Sequence, residues 1–145
     1  MFENTEFKNV GNDALDFSGS EARLDNINIL SIGDKGISAG ENSFVSGSKI
    51  KIFETEIGLT SKDRSRLIVD QIELLKVKLG IAVFKKKEEF GGAHVEVIGY
   101  KSEGVKREYL VDLDSSLIIE GDSKIDKVSD VESELYGVNY GKSSK

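Results

Sequence analysis

Ala14-Leu15-Asp16-Phe17, Gly36-Ile37-Ser38-Ala39, Gly58-Leu59-Thr60-Ser61 and Gly80-Ile81-Ala82-Val83 start 22 residues apart, and each sets a branched aliphatic directly after a small residue. A unit that short cannot enclose a core of its own. Repetition at this interval therefore reads as a solenoid, in which each coil buries its apolar side chains on the next. A polar turn follows three of the four segments: Ser18-Gly19-Ser20, Gly40-Glu41-Asn42-Ser43 and Lys62-Asp63-Arg64-Ser65.

A second strand then alternates apolar with polar residues. Ile27-Asn28-Ile29, Ile50-Lys51-Ile52, Ile72-Glu73-Leu74 and Val95-Glu96-Val97 recur at spacings of 23, 22 and 23. Strict alternation turns one set of side chains inward and the other to water. Stacking predicts an interior column of Ile29, Ile52, Leu74 and Val97, and another of Leu15, Ile37, Leu59 and Ile81. The outward column would be Asn28, Lys51, Glu73 and Glu96, with an attraction between Lys51 and Glu73 and a repulsion between Glu73 and Glu96. Val10, Ile32, Thr55, Val77 and Tyr100 mark a third strand, and Thr5 and Phe7 carry the repeat back 22 residues from Ile27 and Ile29. Ile68, Ile72, Leu75 and Leu79 also fit a helical stripe, but Leu59, Ile72 and Leu74 share the register of the other coils, which favours strand.

The bulk composition narrows the function classes. With 145 residues the chain suits one domain. Fifteen glycines and no proline suit frequent tight turns, and the absence of cysteine removes disulfides and thiolate metal sites. A net charge of -6 and a pI near 4.9 argue against nucleic acid as a partner. The one basic run, Lys85-Lys86-Lys87, is followed at once by Glu88-Glu89. No segment has the ~18 apolar residues that a membrane span requires. The first residues lack the basic start and apolar stretch of a secretory signal, so an exported form would carry that signal upstream of Met1.

Residues 84–94 read as a loop bulging from the fourth coil, a place where repeat scaffolds often carry function. Tyr109-Leu110-Val111-Asp112-Leu113 and Ser116-Leu117-Ile118-Ile119 form a fifth coil. Val128, Val131, Leu135 and Val138 allow a short amphipathic helix that would cap the end of the core. The expected organisation is thus a coil domain over residues 1–121 and a cap with a tail over residues 122–145. The start, Phe2 to Phe7, reads as strand with no cap before it. An open coil presents unpaired backbone, so this end is expected to meet further coils upstream or to self-associate.

The coil length, with the segments Gly11-Asn12-Asp13-Ala14-Leu15-Asp16 and Gly33-Asp34-Lys35-Gly36-Ile37-Ser38, resembles the right-handed parallel β-helix of pectate-lyase-like and polygalacturonase-like proteins. The resemblance covers roughly residues 1–120. It implies an all-β fold, a right-handed parallel β-solenoid of about five coils of 22-26 residues. The same coil serves lyases, hydrolases, adhesins and inert spacers, so it fixes no activity. Polygalacturonase-like hydrolases carry an Asn-Thr-Asp, then a Gly-Asp-Asp one coil later, then a Gly-His-Gly and an Arg-x-Lys. Asn12-Asp13 and Gly33-Asp34 stand in the first two places here. Lys35 replaces the second aspartate, Glu56-Ile57-Gly58 stands where histidine is expected, and the Arg-x-Lys is not evident.

Inverting hydrolysis needs one carboxylic acid and one carboxylate base on opposite sides of the sugar. Asp13 and Asp34 would stand only about 5 Å apart along the stack, and Asx at coil turns has a plain structural use. His94, the one histidine, has no partner identifiable from sequence. Asp16, Glu41 and Asp63 could contribute to a Ca2+ site, although nothing shows the dense spacing of a dedicated calcium loop. The expected function is a non-catalytic scaffold or binding module, the C-terminal part of a larger cell-surface or extracellular protein associated with polysaccharide. Its contacts would come from an outward ridge of Asp16, Ser38 and Thr60, with Asp13, Asp34, Lys35, Lys62 and Asp63 on neighbouring turns. The alternative is a segment of a polysaccharide lyase or glycoside hydrolase.

Overall fold

Each of the three central coils folds as a nearly unbroken strand. In a computed structural model that describes residues 1–126, 131–135 and 140, β3 runs over Glu21–Gly40, β4 over Phe44–Lys62 and β5 over Arg66–Phe84. The chain bends without leaving the extended state because single residues switch to the left-handed region. One set of bends is Asn4, Asn26, Lys49, Gln71 and Gly99, and a second, five residues on, is Asn9, Ser31, Glu54, Lys76 and Gly104. Glycine and asparagine tolerate that conformation, whereas lysine, glutamine and glutamate adopt it at a cost that stacking must offset. A short turn makes the third bend, at Gly19, Glu41–Asn42 and Asp63–Arg64. Three bends per coil give three faces, and the whole is a parallel β-solenoid of about five turns.

The first coil comprises β1 (Phe2–Val10) and β2 (Leu15–Ser18), both paired with β3. The later coils comprise β6 (His94–Glu103), β7 (Arg107–Val111) and β8 (Ser116–Ile119). Every one of these pairings is parallel. The registers superpose like on like: Leu15 pairs with Ile37, Ile37 with Leu59 and Leu59 with Ile81. Ile29, Ile52 and Leu74 form the second expected column, and Thr5 and Phe7 lie against Ile27 and Ile29. All of these aliphatics belong to one buried interior, each contributing on the order of 1.5–3 kcal/mol of transfer free energy. The window around residues 66–84 is strand, not helix.

Two features fix the close approach of the coils. A Cβ on Gly36 would stand 2.8 Å from the Gly58 carbonyl oxygen, and one on Gly58 would stand 2.6 Å from that of Gly80. Only glycine fits where these backbones meet. At the third bend, serine hydroxyls extend the ladder that the turning backbone interrupts. Ser20 N donates to Ser43 Oγ (3.1 Å), Ser43 N to Ser65 Oγ (3.0 Å) and Ala93 N to Ser115 Oγ (3.0 Å). These satisfy groups that would otherwise be orphaned near the core.

The fourth coil departs from the expected register. Val95 and Val97 lie against Leu67 and Val69, one face earlier than anticipated, and Ile72, Glu73 and Leu74 are continued by Tyr100, Lys101 and Ser102. Tyr100 thus leaves the column assigned to Val77, and Glu73 neighbours Lys101 instead of Glu96. The extra residues of the 85–93 segment cause the slip: counting 22 or 23 residues across an insertion lands on the wrong face. The loop itself is pinned. Lys86 and Lys87 backbone N–H groups both donate to Asp63 Oδ1 (2.7 Å each), Lys85 N donates to Asp112 Oδ2 (2.7 Å), and Arg64 Nε donates to Phe90 O (2.9 Å).

The C-terminal segment does two separate things. β9 (Asp122–Lys124) turns back antiparallel on β8, at the end of the sheet. The helix α1 (Val131–Leu135) lies instead on the flank of the solenoid. Val131 and Leu135 are buried with Ile57, Leu79, Ala82, Phe84 and Leu110, a cluster separate from the interior. Ala82 and Phe84 alternate with the interior residues Ile81 and Val83, so they point outward. The expected cap over the core end is corrected in this respect: outward apolar side chains on the flank draw the helix there. Val128 and Val138 lie outside the described residues. No helix among the described residues is long and apolar enough to cross a membrane. Leu59→Ala is expected to lower unfolding free energy by about 2–5 kcal/mol in urea denaturation, since Leu59 is fully buried mid-stack.

Candidate functional site

The flank that carries α1 also gathers the residues singled out from sequence. It is the outer side of the face running from Lys35 to Gly40 and its equivalents in neighbouring coils. The outward columns are Asp16, Ser38, Thr60 and Ala82, and beside them Gly40, Lys62 and Phe84. Asp16 is exposed, but Ser38 and Thr60 are each 0% exposed. The exposed ridge expected of these residues is therefore not present: Thr60 sits in register with Ala82, which packs against α1. Alternation identified the outward side but could not reveal that Ser38 and Thr60 are buried on it. Among the described residues neither the Ser38 nor the Thr60 hydroxyl has a hydrogen-bond partner.

Next to them lies a buried charge cluster. Lys35 is 4% exposed, with its ammonium 3.2 Å from Asp34 Oδ2 and 3.8 Å from Asp13 Oδ1. Asp13 Oδ1 also accepts the Lys35 backbone N–H at 3.1 Å. One lysine thus joins two acids on adjacent coils. Burial raises the Asp13 pKa above its ordinary value of 3.8, partly opposed by Lys35. The two carboxylates that could have served as acid and base both face this ammonium. An inverting pair, by contrast, stands about 6.5–9.5 Å apart with room for a water. Glu56, in the place where the hydrolases carry histidine, pairs with Lys78 at 3.0 Å.

Lys62 is half-buried on the same flank. Desolvation lowers its pKa first, and the positive charges of Lys35 and Lys86 lower it further. Asp63 lies at the third bend with a left-handed backbone. Its Oδ1 organises the Lys86–Lys87 loop, while its buried Oδ2 has no hydrogen-bond partner among the described residues. Glu41 accepts from Ser18 Oγ at 2.9 Å and pairs with Lys87 at 2.5 Å. Of the three residues weighed for calcium, Asp63 and Glu41 are thus committed to the loop. Among the described residues no three His, Asp or Glu side chains are grouped to hold a metal ion. His94 opens β6, with Nδ1 2.6 Å from Ser116 Oγ and Nε2 4.0 Å from Glu96. Burial, then Arg66, lowers its pKa.

An open groove lies elsewhere, along the first set of bends. It holds about 520 Å³ and is lined by Asn26, Asn28, Lys49, Lys51, Gln71, Glu73, Gly99 and Lys101, on the outer side of strands whose Ile50 and Ile72 side chains are buried in the interior. The left-handed residues Asn26, Lys49, Gln71 and Gly99 create its concave wall, because each bend redirects the strand around it. Three lysines face one glutamate, with Lys51 3.9 Å from Glu73. Sequence reading missed this site. The misregistered fourth coil had placed Glu96 in the column where Lys101 stands, hiding the positive bias.

The chain matches no protein-family model, no curated protein and no solved structure.

Two outcomes test the buried flank. Thr60→Val is expected to hold stability or raise it by up to about 1 kcal/mol in urea denaturation, because it removes a buried hydroxyl that has no partner among the described residues. The raised Asp13 pKa means the folded state keeps this proton at pH values where the unfolded chain has lost it. Stability therefore falls as pH rises from about the ordinary value of 3.8 through the higher folded-state pKa. In urea melts across this range, Asp13→Asn should remove that decline while leaving the acceptor oxygen for Lys35 N–H in place.

Proposed function

We propose that the chain is a non-catalytic β-solenoid module that binds an extended acidic polysaccharide along the groove at the first bends. We further propose that its coil is of the pectate-lyase-like kind and that it works as part of a larger cell-surface or extracellular protein. The observation that carries this reading is the positive bias of that groove, three lysines to one acid, on a chain of net charge -6. The groove crosses four stacked strands, roughly 14 Å at ordinary inter-strand spacing. Asn28, Lys51, Glu73 and Lys101 stand one to a coil across it, a row of polar groups at the pitch of the coils that suits a polymer whose anionic and hydroxyl groups also repeat. Asn26, Asn28 and Gln71 add uncharged hydrogen-bonding groups beside the lysines, and a few such polar groups are what orient a ligand in its site.

The enzyme reading has less support. Asp13 and Asp34 share Lys35 in a buried ion cluster, and that arrangement serves coil-to-coil packing. Binding to uronate-rich and neutral polysaccharides, followed by a polymer-length assay, separates the two. The expected result is retention of the acidic polymer with no shortening, strong sensitivity to salt, and at least roughly a tenfold loss of affinity in Lys51→Ala/Lys101→Ala. Shortening of the polymer would establish the enzyme instead. Equal retention of neutral and acidic polymers would remove the charge-based reading.

A further inference from the structure

The two ends of the solenoid are finished differently. At one, β9 reverses direction and pairs antiparallel with β8. At the other, β1 pairs only with β3, so one edge of β1 has no strand beside it among the described residues. An edge of this kind is a template for another strand. Beside it lies an aromatic cluster in which Phe2 is 6.4 Å from Phe7 and 6.3 Å from Phe17, ring centre to ring centre. Phe2 is 39% exposed, and Phe7 and Phe17 are half-buried. Inside the stack, Phe7 continues the column of Ile29, Ile52 and Leu74.

The order Glu6-Phe7-Lys8 says what fits this edge. Phe7 turns inward, while Glu6 and Lys8 are exposed outward. A two-fold axis normal to this face runs the second strand antiparallel and keeps outward side chains opposite outward ones. Centring the pair on Glu6 sets like charges together, and so does centring it on Lys8. Centring on Phe7 sets Phe7 against Phe7 and each Glu6 against a Lys8. We propose that β1 pairs with β1 of a second copy of this chain in that register. Glu6 then meets the partner subunit's Lys8, Lys8 meets the partner subunit's Glu6, and the exposed aromatic end is covered.

Sedimentation velocity on the full chain tests the pairing. The wild type should form a dimer whose fraction grows with concentration. Glu6→Lys and Lys8→Glu should each weaken it by at least about tenfold, since each replaces two attractions by two repulsions. Both positions are exposed, so circular dichroism should show unchanged strand content in the variants. Mixing the two variants should restore dimers, because one then presents two lysines to two glutamates. A wild type that stays monomeric at every concentration overturns the proposal. So do single reversals that leave dimerisation unchanged, or a mixture that fails to restore it, as expected if other coils or another edge occupy this surface.

Discussion

Every coil of this protein is held at a fixed height and register by parallel backbone pairing with the coil before it, and the side-chain columns follow from that constraint. Once Thr5 is bonded beside Ile27, and Ile27 beside Ile50, each inward residue must rest on another inward residue one strand away. A coil of about 22 residues could not bury Ile27, Ile29 and Ile37 alone. It does so because the neighbouring coils present the same aliphatic pattern at the same place. The glycine column at Gly36, Gly58 and Gly80 belongs to the same constraint. Any side chain there would force carbonyl oxygens apart and lift one coil off the next.

The bends are the second consequence. A strand that never breaks must turn within single residues, and the left-handed conformations at Lys49, Glu54, Gln71 and Lys76 are ones such residues seldom adopt. They persist because hydrogen bonding on both sides of each bend over-determines the backbone. These bends also shape the groove lined by Lys49, Lys51 and Lys101. The geometry that closes the coil therefore also makes the open binding surface. On the opposite flank, the same stacking brings Asp13, Asp34 and Lys35 into one buried cluster. Charges brought so close in low dielectric are strongly coupled, and each depends on its neighbours to remain buried.

Much of the fold was legible because alternation and coil spacing are properties of local sequence. Leu15, Ile37, Leu59 and Ile81 could be assigned inward, and the polar turns ending in Ser20, Ser43 and Ser65 could be placed at one bend. The fourth coil was misread because insertion after Phe84 breaks the count, and counting was the only measure of register in use. A second signal was present. Gly99 and Gly104 are five residues apart, as are Asn26 and Ser31, and glycine is the residue best suited to left-handed bends. Aligning those pairs, instead of the aliphatics Val95 and Val97, would have placed Lys101 beside Glu73.

The sequence by itself determined a stack of short strands with aliphatic columns through its middle, since a period of two within strands and 22 between them admits few other packings. It also determined which side of each strand faces outward. Only the tertiary structure decided which outward surfaces meet water. Ser38 and Thr60 lie on the outer side as their parity requires, yet they are buried on the flank where α1 packs against outward apolar residues from several coils. The packing of α1 on that flank joins segments distant in the chain, and no local periodicity records it. The groove of Lys51 and Lys101 is of the same kind, because its charge exists only once register places side chains from separate coils in one row.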